Sequence, residues 1–305
     1  MKILEIENVK KSFGKVHAVS GISLHVERGE IVGFVGPNGS GKTTTLKMVT
    51  NLIWPDEGSI MIGGYDLMKH RKKALSHIAG IVENPGLYAN LTGMDNLKFI
   101  QKIRKIPETR LRECIELTGL GVHLKRSVAK YSLGMKQRLA LGMSLLTDPE
   151  LLLLDEPTNG LDPTGVIELR EMLKTMRETQ NMSILFSSHQ LGEVEKLADR
   201  IVYIKRGLIV EQENEFNDEA KSYLLRVLDP MRALEILRTH PDGIQCEIHG
   251  SEEIMIRFSY STIGQILTDL ETHHISVLDV EKCNQDLEAV YRQLYRNEEG
   301  GGRIV

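Results

Sequence analysis

The chain has little cysteine, a single tryptophan, no basic excess and no long apolar run. Each shortage excludes something. Its three cysteines, Cys114, Cys246 and Cys283, are odd in number, far apart and outside any CxxC pair. That excludes a disulfide-stapled scaffold and reads as three reduced thiols. A formal net charge of -4 and a pI near 6.2 argue against a nucleic-acid binder working through a broad basic face. The densest apolar run, Leu151-Leu152-Leu153-Leu154, is only strand length, so the chain is not expected to span a bilayer by itself. The opening MKILEIENVKKSF carries acidic residues where a signal peptide needs an apolar core, so export is not expected.

What is present is ordinary globular material. The 305 residues are 41% hydrophobic and 26% charged, enough for one large domain or two smaller ones with buried cores. Strand-like ILEIENV, ISLHV and IVGFV fill the first 35 residues. A helix is expected from Lys42 to about Leu52, then strands at 59–62 and 78–82. Thr92-Gly93-Met94-Asp95 has the form of a capping box opening a helix to about Ile103. Further helices are expected at 107–118, 133–146 and 163–179 and around 190–198, with strands at 151–155 and 183–188 and a hairpin at 201–211. Alternation of this kind predicts an α/β fold, a mostly parallel sheet covered on both faces.

The acidic, polar segment 211–221 marks a boundary, giving a first domain at 1–215 with a helical subdomain at about 90–145. Beyond it, strand (222–228), helix (230–239), strands (244–249 and 254–258), helix (262–272), strand (275–282) and helix (285–296) are expected. This is a small α+β domain over 216–296 in the βαββαβ order of ferredoxin-like folds. Residues 297–305, ending in GGGRIV, are expected to be a flexible tail.

The strongest motif is Gly36-Pro37-Asn38-Gly39-Ser40-Gly41-Lys42-Thr43, a full match to G-x-x-x-x-G-K-[ST] between an apolar strand and a helix. Its glycines let backbone N–H groups turn inward around phosphate oxygens, and the helix N-terminus adds its positive end. Lys42 is placed for the β- and γ-phosphates, the Thr43 hydroxyl for Mg²⁺, and Thr44 follows on the same turn. This predicts a nucleoside triphosphate site that also takes Mg²⁺. LLLLDE then supplies a buried strand delivering Asp155 to the metal and Glu156 to a water attacking the γ-phosphate. Ser188-His189 ends the next apolar strand, where His189 can hydrogen-bond the γ-phosphate.

The residues between these motifs identify a family. Tyr131-Ser132-Leu133-Gly134-Met135 resembles the ABC-transporter signature in a degenerate form, with Leu133 and Met135 replacing the usual glycine and glutamine. Asn159-Gly160-Leu161-Asp162 resembles the D-loop, His189 the switch histidine, and Phe13 the aromatic that stacks on adenine. The resemblance spans residues 1 to about 215. It implies an ATPase on the cytoplasmic face of the membrane, working with a separately encoded permease. It also implies a second cassette packed head to tail as a homodimer, with Ser132 and Gly134 of one copy gripping the phosphates of the other. No nucleic-acid partner is expected. Glu83, in IVENPGLY, falls where the family normally has the Q-loop glutamine. It is expected to ligate the metal or attacking water and relay to the permease. With YSLGMKQR it resembles the bacitracin-export and lantibiotic self-protection branch, and 277–295 weakly resembles the C-terminal element of drug-export ATPases.

Overall fold

The computed structural model describes residues 1–83, 86–213, 221–240, 243–250, 252–258 and 262–283. The chain divides into two compact units, Met1–Glu215 and Phe216–Val305.

In the first unit, β1 (Lys2–Phe13) and β2 (Val16–Glu27) form a hairpin that turns at Gly14, whose φ of 59° suits glycine. With β4 (Glu57–Ile62) and β5 (Tyr65–Asp66) they make a four-stranded antiparallel sheet in the order β2-β1-β4-β5. A second sheet contains β3 (Ile31–Val35), β6 (Ile78–Ile81), β7 (Leu151–Leu154), β8 (Ser183–Ser188), β9 (Arg200–Lys205) and β10 (Leu208–Glu213). Its order is β10-β9-β3-β8-β7-β6, parallel except for the β9–β10 hairpin. β3, β7 and β8 are buried at every position, which is why β3 and β7 lack polar alternation, while β8 (SILFSS) buries three serines beside its apolar residues.

Helix α1 (Lys42–Val49) shares one core with both sheets, burying Leu46, Met48 and Val49 with Ile6 of β1, Phe34 of β3 and Leu185 of β8. It is shorter than the sequence predicts, because Thr50 caps it and Asn51 turns left-handed at φ 56°. The short α2 (Arg71–Ser76) precedes β6. The helical subdomain holds α3 (Gly93–Arg104), α4 (Glu108–Thr118) and α5 (Leu133–Leu145). Thr92 accepts the Asp95 amide as the predicted cap of α3. α4 and α5 approach closely at Gly142, where any side chain would strike Thr118. α6 (Pro163–Gln180) begins on Asp162, whose carboxylate accepts the Gly165 amide at 3.2 Å. α7 is only Leu191–Val194, against a prediction of 190–198. Beyond Val194 the chain continues in turns, the Ala198 amide donating to the Val194 carbonyl at 2.8 Å, before the Asp199 amide reaches the Ile31 carbonyl at 2.8 Å.

The second unit has β11 (Lys221–Val227), α8 (Pro230–Arg238), β12 (Gln245–Ile248), β13 (Glu253–Phe258), α9 (Ile263–Thr272) and β14 (Val277–Cys283). Its antiparallel sheet runs β12-β13-β11-β14. Both helices pack on one face, where Leu225, Ile256, Leu237 and Ile266 form a separate core. Strand order and connectivity are those of a split βαβ fold. The predicted helix at 285–296 and the tail lie outside the described residues.

Candidate nucleotide site

The carboxyl ends of the parallel strands lie along one edge of the second sheet, the position where open α/β sheets bind ligands. β3 leads into Gly36, and the chain then turns through Pro37, Asn38, Gly39 and Ser40 to Gly41 at the start of α1. Gly41 has φ 110°, and a side chain there would come within 2.6 Å of the Ala18 carbonyl. Only glycine fits. Gly39, at φ 80°, faces open space, Asn38 is exposed and Thr44 is half-buried. No side chain caps α1, so its first-turn amides receive no acceptor from the cap residue. The Ser40 hydroxyl is buried without a hydrogen-bond partner. Uncapped amides and an unpaired hydroxyl in one loop suit an anion with several oxygens.

Lys42 is 5% exposed, and its ammonium donates to the carbonyls of Gly36 at 2.7 Å and Pro37 at 3.1 Å. It also lies 3.3 Å from Glu156 Oε1. The Thr43 hydroxyl contacts both carboxylate oxygens of Asp155, at 3.1 and 2.8 Å. Register brings Asp155 here: β7 pairs with β6 through Ile81 opposite Leu154, and the Asp155 amide donates to the Ile81 carbonyl at 2.9 Å. Glu156 adopts a left-handed φ of 47°, a conformation that non-glycine residues keep only when neighbours hold it. Its Oε2 is 2.7 Å from His189 Nδ1, while Oε1 is buried without a hydrogen-bond partner and faces Lys42. Lys42, Glu156 and His189 thus form one contiguous chain of contacts, with Thr43 and Asp155 beside it.

Other predicted residues stand apart from this cluster. Glu83 has a left-handed φ of 67° and a side chain 61% exposed, and its carboxylate pairs with Lys47 in the last turn of α1. No contact between Glu83 and Thr43 or Asp155 occurs among the described residues. Phe13 ends β1 with half its surface exposed and the Lys11 ammonium 5.6 Å from its ring centroid. Ser132 caps α5, accepting the Met135 amide at 3.2 Å, and Gly134 lies against Leu161 and Gly165. Sequence reasoning missed Lys47 and Ser187. Lys47 was legible as the cation five residues beyond Lys42 on the same helix. Ser187 needed the strand register.

Thr43 and Asp155 are hard oxygen donors in contact, the pair Mg²⁺ takes when phosphates complete its shell. A cluster of three or more His, Cys, Asp or Glu able to hold a metal without substrate is absent among the described residues. Thr43 and Asp155 fit a divalent ion whose remaining ligands are phosphate oxygens.

Fold and cluster together define a P-loop nucleotide-hydrolysing protein. Residues 19–159 match the ABC transporter family. The chain is 36% identical over 306 residues to the bacitracin transport ATP-binding protein BcrA of Bacillus licheniformis, covering 99% of each chain. It is 42% identical over 208 residues to the lantibiotic transport ATP-binding protein SrtF of Streptococcus pyogenes, covering 68% of this chain and 89% of that one. Among solved structures, a dimeric ATP-binding cassette in a post-hydrolysis state with ADP and Pi superposes with a TM-score of 0.61 at 25% identity, over 69% of this chain and 98% of that one. The chain belongs to the ABC transporter family, as an ATPase cassette.

Proposed function

We propose that this chain is the ATP-hydrolysing subunit of a transporter that exports, or protects against, a peptide antibiotic of bacitracin or lantibiotic type, through a separately encoded permease. The ATPase part is supported above all by the convergence of Lys42, Thr43, Asp155, Glu156 and His189 at one sheet edge. The branch is supported by likeness to BcrA along the whole chain.

In this reading the loop amides, Ser40 and Lys42 bind the β- and γ-phosphates, and Phe13 stacks on adenine. Thr43 and Asp155 hold Mg²⁺. Such an ion would supply positive charge against the phosphates. Glu156 orients the attacking water and accepts its proton, and His189 fixes that carboxylate and reaches toward the γ-phosphate. Lys42, now satisfied by Gly36, Pro37 and Glu156, exchanges these partners for phosphate oxygens.

Ser132 and Gly134, at the exposed start of α5, grip the nucleotide of a second cassette packed head to tail. Glu83 joins the nucleotide site to the permease, leaving Lys47 if it reaches the ion. No described helix is long and apolar enough to cross a membrane, and the chain is placed at the cytoplasmic face through the permease. The test is co-expression with a multi-spanning partner in a susceptible strain. Survival in bacitracin or a lantibiotic, lost with Lys42→Ala, is expected. A partner-bound complex that hydrolyses ATP without changing susceptibility to either would overturn the substrate class.

A further inference from the structure

Ser187 is fully buried on β8, the strand between β3, which enters the phosphate loop, and β7, which delivers Asp155. Phe186 pairs with Leu154, so the next positions, Ser187 and Asp155, lie side by side. The Ser187 hydroxyl donates to Asp155 Oδ1 at 2.6 Å and accepts the Glu156 amide at 2.9 Å. Its single proton is thereby committed to the carboxylate and its oxygen to the backbone of the next residue. Asp155 Oδ2 is left to Thr43 at 2.8 Å. Glu156, held by that amide, is the residue at φ 47°. Neighbouring Ser188 makes neither contact; its hydroxyl accepts the Gln190 amide at 2.9 Å.

We infer that Ser187 is a positioning residue for hydrolysis: it orients Asp155 toward the nucleotide-bound divalent ion and holds the Glu156 backbone in its left-handed conformation. Removing the hydroxyl leaves Oδ1 with only the longer 3.1 Å contact to Thr43, loosening the carboxylate's orientation, and orphans a half-buried amide. Hydrogen-bond partners of a metal-ligating carboxylate commonly control about tenfold or more in metal affinity. The inference rests on the proposed role of Asp155 as ion ligand, and the experiment separates the two.

Manganese binding to the full-length protein with a non-hydrolysable ATP analogue is followed by electron paramagnetic resonance. Analogue binding in EDTA and thermal melting are measured beside it. Ser187→Ala is expected to raise the half-saturating manganese concentration about tenfold, with metal-free analogue affinity within about twofold of wild type. Ser187→Thr and Ser187→Val have the same shape and differ in the hydroxyl. Thr should keep manganese affinity and Val should match Ala, a comparison that holds even if Ala folds poorly. Equal affinity in the Thr and Val variants overturns the inference, as does parallel loss of metal-free binding in all three. Asp155→Asn is the control. If it binds manganese normally, the role of Asp155 fails; if it alone loses manganese, only the role of Ser187 fails.

Discussion

Helices α1 and α5 are both proposed to grip phosphate at their N-termini, and they begin in opposite ways. α1 starts on Gly41 with no side-chain cap, its lysine 5% exposed and two carboxylates of the same chain beside it. α5 starts on exposed Ser132, whose hydroxyl already accepts the Met135 amide, next to Leu133 with 45% of its surface exposed. The difference teaches what each end can do alone. At α1 the donors, the cation and the proposed ion ligands converge within one chain, so the proposed nucleotide site is built without a partner. At α5 the exposed Ser132 stands with neither a buried lysine nor the Thr43–Asp155 pair beside it, which suits the proposed action on a phosphate carried by another molecule.

The comparison breaks most sharply at Lys42. Lys42→Ala is expected to lower ATP turnover by about a thousandfold or more, since it removes the one buried cation of the cradle; near-normal turnover in a phosphate-release assay would end the assignment of the α1 site. Glu156→Gln should slow hydrolysis by about a hundredfold while sparing ATP binding. With bound ATP it should elute as a dimer, and a monomer at saturating ATP would show that the α5 end has no role in trans. Ser132→Ala sharpens the contrast from the other side. It should cost about 1 kcal/mol of stability as a lost cap and reduce turnover about tenfold, while ATP affinity of the isolated monomer stays unchanged by calorimetry.

Glu83→Gln belongs lower on the scale. Its pair with Lys47 is exposed, so the melting temperature should hardly move. A severalfold change in permease-stimulated ATPase, without change in the isolated cassette, is the expected mark of a coupling role.

The smallest effect lies where β7 begins, at the end of the sheet away from the site. Burial pushes the Glu150 carboxyl up, but its bonds to Arg28 and His77 outweigh this and leave it below its ordinary value of 4.5. A lowered native value stabilises the fold above pH 4.5, and that contribution is lost as pH falls through the lowered value. Glu150→Gln should therefore be slightly less stable than wild type at neutral pH. The gap should close in acid melts, and a gap independent of pH would show that the carboxylate charge contributes nothing.

Much of this was legible without coordinates. The alternation of apolar runs and helical periods marked β3, β7, β8 and α3 to α6 within a residue or two, because the strands are buried throughout, α3, α5 and α6 are capped by side chains, and α4 follows Pro107. Thr92, Ser132 and Asp162 are local signals acting over three residues. Shortfalls came where the backbone left helical geometry early, at α1, where Asn51 turns left-handed, and at α7, where turns replace helix after Val194.

The sequence by itself determined the phosphate loop, since glycine spacing, lysine and hydroxyl are consecutive and their chemistry is local. It also determined that an acidic pair follows a buried strand. Only the tertiary structure decided how these groups meet. Lys42 faces Glu156, His189 closes on the other oxygen of the same carboxylate, and Ser187 ties Asp155 to the Glu156 backbone, across separations of 31 to 114 residues. The registers of β7 and of β3 on β8 make those meetings, and register is a property of two strands, which no single stretch of sequence contains. The same is true of Glu83. As a letter it stood among the nucleotide ligands; in the fold its backbone turns left-handed and its charge is answered by Lys47.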